Sequence, residues 1–176
     1  MGWSLNFRKP EDAALLDAHL LSLGKALFLA TAFEGKCRFL ARIWKLVEVQ
    51  RETGDFSAAL ELANALKVRQ LGPTIDGLTA IPFVSDEDCA ILVRSKDARN
   101  YIAHEAGAIG GIDIPRRVIL DRERRLREEV LALVPGDNLV STWIYELEEK
   151  EPAPPSLQHL YPTLVETWVF GVADGA

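Results

Sequence analysis

The fold and the function of this chain are both predicted from one stretch, Asp97-Ala98-Arg99-Asn100-Tyr101-Ile102-Ala103-His104-Glu105. Its pattern indicates a helix that places an arginine, an amide, a tyrosine and a histidine within six residues. The chain has only three histidines among its 176 residues. An arginine binds a phosphate with its planar fork of donors, and a histidine transfers a proton near pH 7. The stretch therefore carries the minimum chemistry needed to break a phosphodiester.

On both sides of this stretch, apolar residues recur at helical spacing, and glycine and proline divide the chain into helix-sized segments. Asp55 is predicted to cap the third helix, and Ser85 the fourth, with Asp88 in the capping-box position. A loop is predicted from Gly72 to Pro82, and residues 160–169 are predicted to form a short helix or a strand. The fold class predicted is all-α, a compact bundle of antiparallel helices. The helices are expected over residues 10–24, 25–52, 58–66, 86–106, 115–134 and 139–147.

Length and composition predict an ordered globular protein, because hydrophobic residues make up 48% of the chain. No apolar run reaches the length of a membrane span without a charge, so no membrane association is expected. The first residues lack the basic and apolar regions of a signal peptide. Cys37 and Cys89 have no metal-binding spacing and are predicted to be core thiols in a reducing cytoplasm.

The net charge of −6 is concentrated in the last part of the chain. Residues 1–136 hold 19 basic and 19 acidic residues, whereas residues 137–176 hold seven acids and one base. We expect a helical bundle over 1–136 and an acidic helical appendage over 137–176, with a Pro-rich linker at 151–156. A neutral body with an acidic end is not the profile of a non-specific nucleic-acid binder, although it permits a local basic site. The appendage is expected to pack on the bundle through Trp143, Leu164 and Trp168.

Helix geometry separates the two chemically important side chains. Asn100 and His104 are four residues apart and share a face, with Asp97 and Tyr101 on the same side. Arg99 lies five residues before His104, which is roughly 140° around the helix axis. A second copy of the helix, facing the first across a two-fold axis, would pool two arginines and two histidines in one cleft. This geometry predicts a homodimer built on the fourth helix.

A purely structural interpretation of the stretch stays open. Arg99 could pair with Glu105 or Asp97, and His104 could donate a hydrogen bond to Asp97 or to a tyrosine. The chain would then be a non-catalytic helical module that binds a partner protein or a nucleotide. The two interpretations differ in geometry, because an enzyme needs Arg99 and His104 to converge in an open cleft.

The segment Arg99-Asn100-Tyr101-Ile102-Ala103-His104 resembles the defining motif of the HEPN superfamily, which is an arginine, a polar residue, three further residues and a histidine. As in that superfamily, the motif lies late in a predicted helix of an all-helical chain. The stretch from Lys25-Ala26-Leu27-Phe28 to Leu40 is similar to the long early helix of such proteins. Residues 137–176 have no counterpart in the resemblance.

The resemblance implies an α-helical bundle, usually a dimer, with a metal-independent RNA-cleaving site at the dimer interface. Such proteins commonly act in toxin–antitoxin, phage-defence or RNA-processing systems, and others are inactive binding modules. The implied catalytic residues are Arg99, Asn100 and His104, with Asp97 and Tyr101 in support. His104 would transfer the proton and Arg99 would bind the scissile phosphate. RNA and a cognate antitoxin protein are the implied partners, without a metal or another cofactor.

A basic run in the fifth predicted helix has two interpretations. Arg116, Arg117 and Arg124 are candidate contacts to the RNA backbone. The same residues also suit a solvated helix face on which Glu128 and Glu129 pair with arginines one turn away.

Several other histidine, charged and tryptophan residues could be site residues or structural residues. Two histidines, His19 and His159, have no partner visible in the sequence and are predicted to be structural or exposed. Three charged residues of the second predicted helix could line the same cleft or form ordinary surface charge, namely Glu34, Lys36 and Arg38. Three tryptophans at apolar positions are predicted to belong to the core, namely Trp44, Trp143 and Trp168.

Overall fold

The computed structural model describes residues 10–65, 70–108 and 114–171, and every regular element within these ranges is an α-helix. The prediction of an all-α helical bundle is confirmed. The segment predicted as a helix or a strand is a helix. The helices are α1 (Ala13–Thr53), α2 (Phe56–Ala65), α3 (Leu71–Thr79), α4 (Asp86–His104), α5 (Arg116–Glu149) and α6 (Pro155–Phe170).

The helices pack in both relative directions. α1 and α5 run parallel, because His19 contacts Glu123, while Lys36, further along α1, contacts Asp137, further along α5. α4 runs antiparallel to both of these helices, and α6 runs antiparallel to α5. The helices enclose one core, whose largest fully buried apolar side chains are Phe33, Ile75, Leu78, Leu92, Ile119, Leu126, Val130, Leu133, Val134, Val140 and Val169.

The first long helix is continuous where two helices were predicted. α1 runs through Gly24, because a glycine inside a helix costs only about 1 kcal/mol relative to alanine and packing along 41 residues outweighs that cost. Asp12 caps the start of α1, because its carboxylate accepts from the N–H of Leu15 at 3.0 Å. The helix therefore does not begin at Pro10, where it was predicted to begin. It ends at Gly54, which has a φ of +70°, close to the predicted end. Asp55 caps α2 as predicted, accepting from the N–H of Ala58 at 3.0 Å.

The predicted loop from Gly72 to Pro82 is wrong over most of its length. Residues 71–79 form α3, in which Gly72 and Pro73 lie in the first turn. A proline is tolerated there because the first N–H groups of a helix have no intrahelical acceptor. Four residues of this short helix are buried in the core, and this packing stabilises a segment whose composition alone indicates a loop.

The predicted helix end at Pro135-Gly136 is also wrong, because α5 continues to Glu149. At this point a hydroxyl from α4 enters the helix. Ser95 Oγ donates to the carbonyl of Ala132 at 3.0 Å and accepts from the N–H of Gly136 at 3.1 Å. These two groups would otherwise bond each other directly, so Ser95 satisfies both while Pro135 distorts the helix.

The predicted division of the chain at residue 136 falls inside this continuous helix. Asp137 and Val140, just beyond the division, are fully buried. The connection to α6 is shorter than the predicted linker at 151–156, because α6 begins at Pro155. α6 packs through Val165 and Val169. Trp143 packs against the core, and Trp168 is half exposed but contacts Phe28 of α1 edge-to-face, as expected. The packing expected of Leu164 is wrong, because its side chain is mostly exposed.

A buried carboxylate connects three helices. Asp137 of α5 accepts from Lys36 Nζ of α1 at 2.9 and 3.0 Å and from the hydroxyl of Tyr161 of α6. Lys36 Nζ also donates to Ser141 Oγ at 2.9 Å. Burial, followed by the negative charge and hydrogen bond of Asp137, raises the pKa of Tyr161 well above its usual value. The acidic residue that begins the predicted appendage is therefore a structural group that ties α6 to the bundle.

α1 is long and apolar enough, by length and composition alone, to cross a membrane. Its most apolar 18-residue window has a mean hydropathy of 1.5, and 28% of that window is buried against the other described helices. Core helices of soluble proteins and signal sequences near an N-terminus satisfy the same criterion. The cytoplasmic location consequently stays a prediction.

Replacing Gly136 with alanine is expected to destabilise the fold. A Cβ at this position would lie 2.4 Å from Ser95 Oγ and 2.5 Å from Ser95 Cβ. Such overpacking costs about 1–3 kcal/mol in the free energy of unfolding, measured by urea denaturation. Gly24→Ala is the matched control, because a Cβ added at Gly24 would have no atom within 4 Å. This variant should gain about 0.5–1 kcal/mol in the free energy of unfolding, since alanine suits a helix better than glycine. A Gly136→Ala variant more stable than the parent would contradict the close contact.

Alkaline pH is expected to weaken the attachment of α6 through Tyr161. The phenol of the folded state keeps its proton above the unfolded pKa of about 10, so stability is complete below that pH and falls as the pH rises beyond it. Tyr161→Phe should flatten this fall in urea denaturation curves measured across alkaline pH. Tyr145→Phe removes a phenol that does not contact Asp137 and serves as the control. Parallel pH profiles for the parent and Tyr161→Phe would refute the assignment.

Candidate active site

The helix that carries the motif is anchored at its start as the sequence predicts. Ser85 Oγ accepts from the N–H of Asp88 at 3.1 Å, and the Asp88 carboxylate accepts from the N–H of Ser85 at 3.2 Å. Asp86, Glu87 and Asp88 place negative charge in the first turn of α4, where the helix dipole favours it. α4 ends at His104, so the motif occupies its last turns and His104 is exposed.

Arg99, Asn100 and His104 are brought together within a single chain. Arg99 Nη1 donates to Asn100 Oδ1 at 3.1 Å and lies 3.4 Å from His104 Nε2. The long arginine side chain reaches round the helix to His104, so a second copy is not required to unite the two residues. Arginine can only donate, so this contact is a hydrogen bond when His104 Nε2 is unprotonated and accepts.

The ion pairs considered for Arg99 are replaced by a long-range one. Arg99 Nη2 donates to Glu34 Oε2 of α1, and Arg38 Nη2 pairs with the other oxygen of the same carboxylate. Glu34 is buried, and the side chain of Arg99 is 16% exposed. The Nε of Arg99 is buried and has no hydrogen-bond partner among the described residues. The site is therefore a cluster of five side chains from α1 and α4, namely Glu34, Arg38, Arg99, Asn100 and His104.

Two of the three charged residues considered on α1 thus belong to this cluster. The i,i+4 spacing of Glu34 and Arg38 indicates a pair on one helix face, but only the tertiary structure reveals that Arg99 joins it. Lys36 lies elsewhere, because its ammonium is bound by Asp137.

The two residues predicted to support the motif do not contact His104. Asp97 is exposed and pairs with its neighbour Lys96 at 3.5 Å. Tyr101 is half-buried, and the guanidinium of Arg125 lies 5.2 Å from the centre of its ring. Within the described ranges, no hydrogen bond joins either residue to Arg99 or His104.

The basic run at the start of α5 pairs largely with nearby acids, as its solvated-face interpretation expects. Arg124 pairs with Asp121 at 3.3 Å, and Arg116 lies 3.9 Å from Asp12 of the α1 cap. Both side chains and Arg117 are exposed, so contact with RNA stays a prediction. Arg122, in the same basic run, donates to the carbonyls of Glu105 and Ala108 just after the motif.

The remaining histidines have structural contacts. His19 is buried, and its Nδ1 lies 2.5 Å from a carboxylate oxygen of Glu123. His159 is exposed, and its Nδ1 donates to the carbonyl of Pro155 at 2.6 Å. Within the described ranges, no hydrogen bond joins either histidine to Arg99, Asn100 or His104.

The aromatic residues form a separate surface feature. Trp44 and Trp143 pack edge-to-face on Phe83, with ring centres 5.4 and 6.2 Å apart, and line an open apolar cavity of about 400 Å³. The prediction that Trp168 belongs to the core is wrong, because its side chain is 46% exposed and lies beside Phe28.

Both cysteines are free thiols. Cys37 is buried, and burial raises the pKa of its thiol, while Cys89 is half-buried.

Comparison of the chain with protein-family models, with curated proteins and with solved structures gave no significant match. In the described part of the chain, no three histidine, cysteine, aspartate or glutamate side chains lie close enough together to hold a metal ion. The geometry of the cluster around Arg99 is consequently the observation from which a function is inferred.

The contact between Arg99 and Glu34 is expected to be energetically coupled. A double-mutant cycle with Arg99→Ala and Glu34→Ala should give an interaction energy of about 1–3 kcal/mol in urea denaturation, because both groups are largely removed from water. The exposed pair of Arg124 and Asp121 is the control, with an expected coupling of less than about 1 kcal/mol. Equal coupling for the two pairs would show that the cluster at Arg99 is no tighter than a surface contact.

Proposed function

We propose that this protein is a metal-independent endoribonuclease of HEPN type, acting as a toxin or as a component of phage defence. The observation that carries the proposal is the 3.4 Å approach of Arg99 Nη1 to His104 Nε2 at the exposed end of α4. An arginine and a proton-transfer group within one hydrogen-bond length can serve the same phosphodiester. The resemblance of the motif to the HEPN pattern supports the same activity.

The proposed reaction uses only groups of the protein and of the RNA. Unprotonated Nε2 of His104 accepts the proton of a ribose 2′-hydroxyl, and the resulting oxygen attacks the adjacent phosphorus. Arg99 binds the non-bridging oxygens, where negative charge grows in the transition state. Asn100 holds the Arg99 fork through its amide oxygen. The bond to the 5′-oxygen breaks, and this oxygen takes the proton that His104 now holds, which leaves a 2′,3′-cyclic phosphate on one product and a 5′-hydroxyl on the other.

A second candidate function is supported by the ion pair of Arg99 with Glu34. A largely buried arginine that already has a carboxylate partner also suits a non-catalytic helical module, in which the motif stabilises the packing of α4 on α1. Such a module would bind a partner protein or a nucleotide. The exposure of His104 beside Arg99 favours the enzyme, because a substrate can reach an imidazole on the surface.

The purified protein is expected to cleave single-stranded RNA in the presence of EDTA and to leave DNA intact. His104→Ala should lower the rate roughly 10²–10⁴-fold, because it removes the proton-transfer group. Arg99→Lys should also impair turnover, since the charge remains but the bidentate fork is lost. The measurement is the rate of cleavage, together with analysis of the product ends for a cyclic phosphate and a 5′-hydroxyl.

His159→Ala is the matched control, because it removes an exposed histidine that lies outside the cluster. Cleavage that EDTA abolishes, or products with 5′-phosphates, would refute the mechanism. Absence of cleavage on any RNA would favour the non-catalytic module.

A homodimer remains part of the proposal, although one chain alone unites Arg99 with His104. Support now comes from the surface of α1, which exposes Leu20, Leu21, Leu27 and Phe28. A helix that is apolar on its outer face as well as its inner face is normally covered. Gly107, just after the motif, lies against Leu23, so this apolar surface is close to the end of α4. A second copy covering it would lie beside the candidate active site.

Light scattering at micromolar concentration is expected to give the mass of a dimer. Phe28→Asp should shift the protein to a monomer, because Phe28 is 69% exposed and a charge at this position cannot be buried without a partner. Phe83→Asp should leave the mass unchanged. Phe83 is a similarly exposed aromatic residue in the connection between α3 and α4, where it contacts Trp44. A strict monomer for the parent protein would contradict the proposed assembly.

A further inference from the structure

The carboxylate of Glu34 occupies an oxyanion-binding position at the candidate active site. One of its oxygens is bound by Arg99 and the other by Arg38. A phosphodiester presents the same features, namely one negative charge shared by two equivalent oxygens. Two guanidinium groups that bind one carboxylate therefore form a site for a phosphate, and the protein's own side chain is the anion that is bound there.

The remaining donors of Arg99 show why this matters for a ligand. Nη1 is directed to Asn100 and His104, Nη2 is bound by Glu34, and Nε is buried with no partner in the described part of the chain. A phosphate that is held bidentately by Arg99 uses the Nη2 group, where it competes with the carboxylate of Glu34. Repulsion between the carboxylate and the phosphate acts in the same direction.

Helix α1 offers Glu34 an alternative partner. Arg38 lies one turn after Glu34 on the same face and already contacts its carboxylate. The carboxylate can therefore leave Arg99 and remain paired, so its displacement does not leave a buried charge without a partner.

We propose that Glu34 is a built-in competitor for the phosphate, and that Arg99 binds a phosphate oxyanion only when Glu34 is released to Arg38. This inference rests on the proposed function in one respect, because it takes the phosphodiester of RNA as the natural ligand of Arg99. It adds a regulatory contact to the motif and assigns to Arg38, outside the motif, the role of holding the released carboxylate.

The experiment compares anion binding by the parent protein, Glu34→Gln and Glu129→Gln. Glutamine keeps the shape of glutamate and removes the charge. Glu129 is a matched control, because it is buried and pairs with Arg125 at 2.6 Å, and no hydrogen bond or ion pair joins it to Arg99 or His104 in the described part of the chain. The probes are a short single-stranded DNA oligonucleotide, which has phosphodiesters but no 2′-hydroxyl to react, and inorganic phosphate. Calorimetry gives the dissociation constants at fixed salt.

Glu34→Gln is expected to bind the oligonucleotide at least about tenfold more tightly than the parent, because one charge-assisted competitor has been removed. Inorganic phosphate should show a gain in the same direction if the pair of arginines recognises the oxyanion alone, and a gain confined to the oligonucleotide would assign the site to a diester. Glu129→Gln should bind as the parent does. The double variant Glu34→Gln/Arg99→Gln should lose the gain.

Unchanged or weaker binding of both probes by Glu34→Gln would overturn the inference and make Glu34 a residue that only positions Arg99. An equal gain in Glu129→Gln would overturn it as well, since net charge alone would then explain the effect. If Glu34→Gln is less stable than the parent, thermal unfolding provides the same test. The oligonucleotide should then raise the melting temperature of Glu34→Gln more than that of the parent.

RNA cleavage is measured separately, so the two proposals can fail independently. Tighter binding of DNA by Glu34→Gln without RNA cleavage by any variant would support the competitor and refute the ribonuclease. Cleavage by the parent with unchanged DNA binding in Glu34→Gln would refute the competitor alone.

Discussion

The hydroxyl of Ser95 joins α4 to the backbone of α5, and this contact fixes how closely the two helices approach. Ser95 Oγ lies between the carbonyl of Ala132 and the N–H of Gly136, at the turn that Pro135 disrupts. The bonds require the two helix backbones to approach closely, which the absence of a side chain at Gly136 permits. The continuous helix then holds Asp137 where it binds groups from α1 and α6. The turn of α4 that follows Ser95 carries the candidate active site.

How much of this fold could be predicted depends on whether a signal is local or tertiary. The start of α4 was predicted correctly because Ser85 and Asp88 interact within one turn, and the end of α1 was predicted because Gly54 adopts a left-handed conformation. The breaks at Gly24 and Pro135 and the loop in place of α3 were wrong for one reason. Local preferences of about 1–3 kcal/mol were outweighed by packing against residues that are distant in the sequence.

The same distinction applies to the candidate active site. The motif itself indicated that Arg99, Asn100 and His104 act together, and the structure places them in contact. Helix geometry separates Arg99 from His104 by roughly 140° around the axis, and the arginine side chain is long enough to close that separation. The partnership of Arg99 with Glu34 spans 65 residues, and a single sequence contains no signal for it. Asp97 shares the motif's helix without sharing its contacts.

The pairing of Arg99 follows from the physical demands on a buried arginine. A guanidinium that is largely removed from water is costly unless a carboxylate or a phosphate neutralises it. An arginine that stabilises transition-state charge is most effective in that same low-dielectric position. Glu34 meets the first demand, because it neutralises Arg99. Under the proposed function, RNA would exchange one anion for another at Arg99, so the substrate's ground state would gain little from this residue. Charge that grows on the phosphate in the transition state would gain more, and such a difference is what accelerates a reaction.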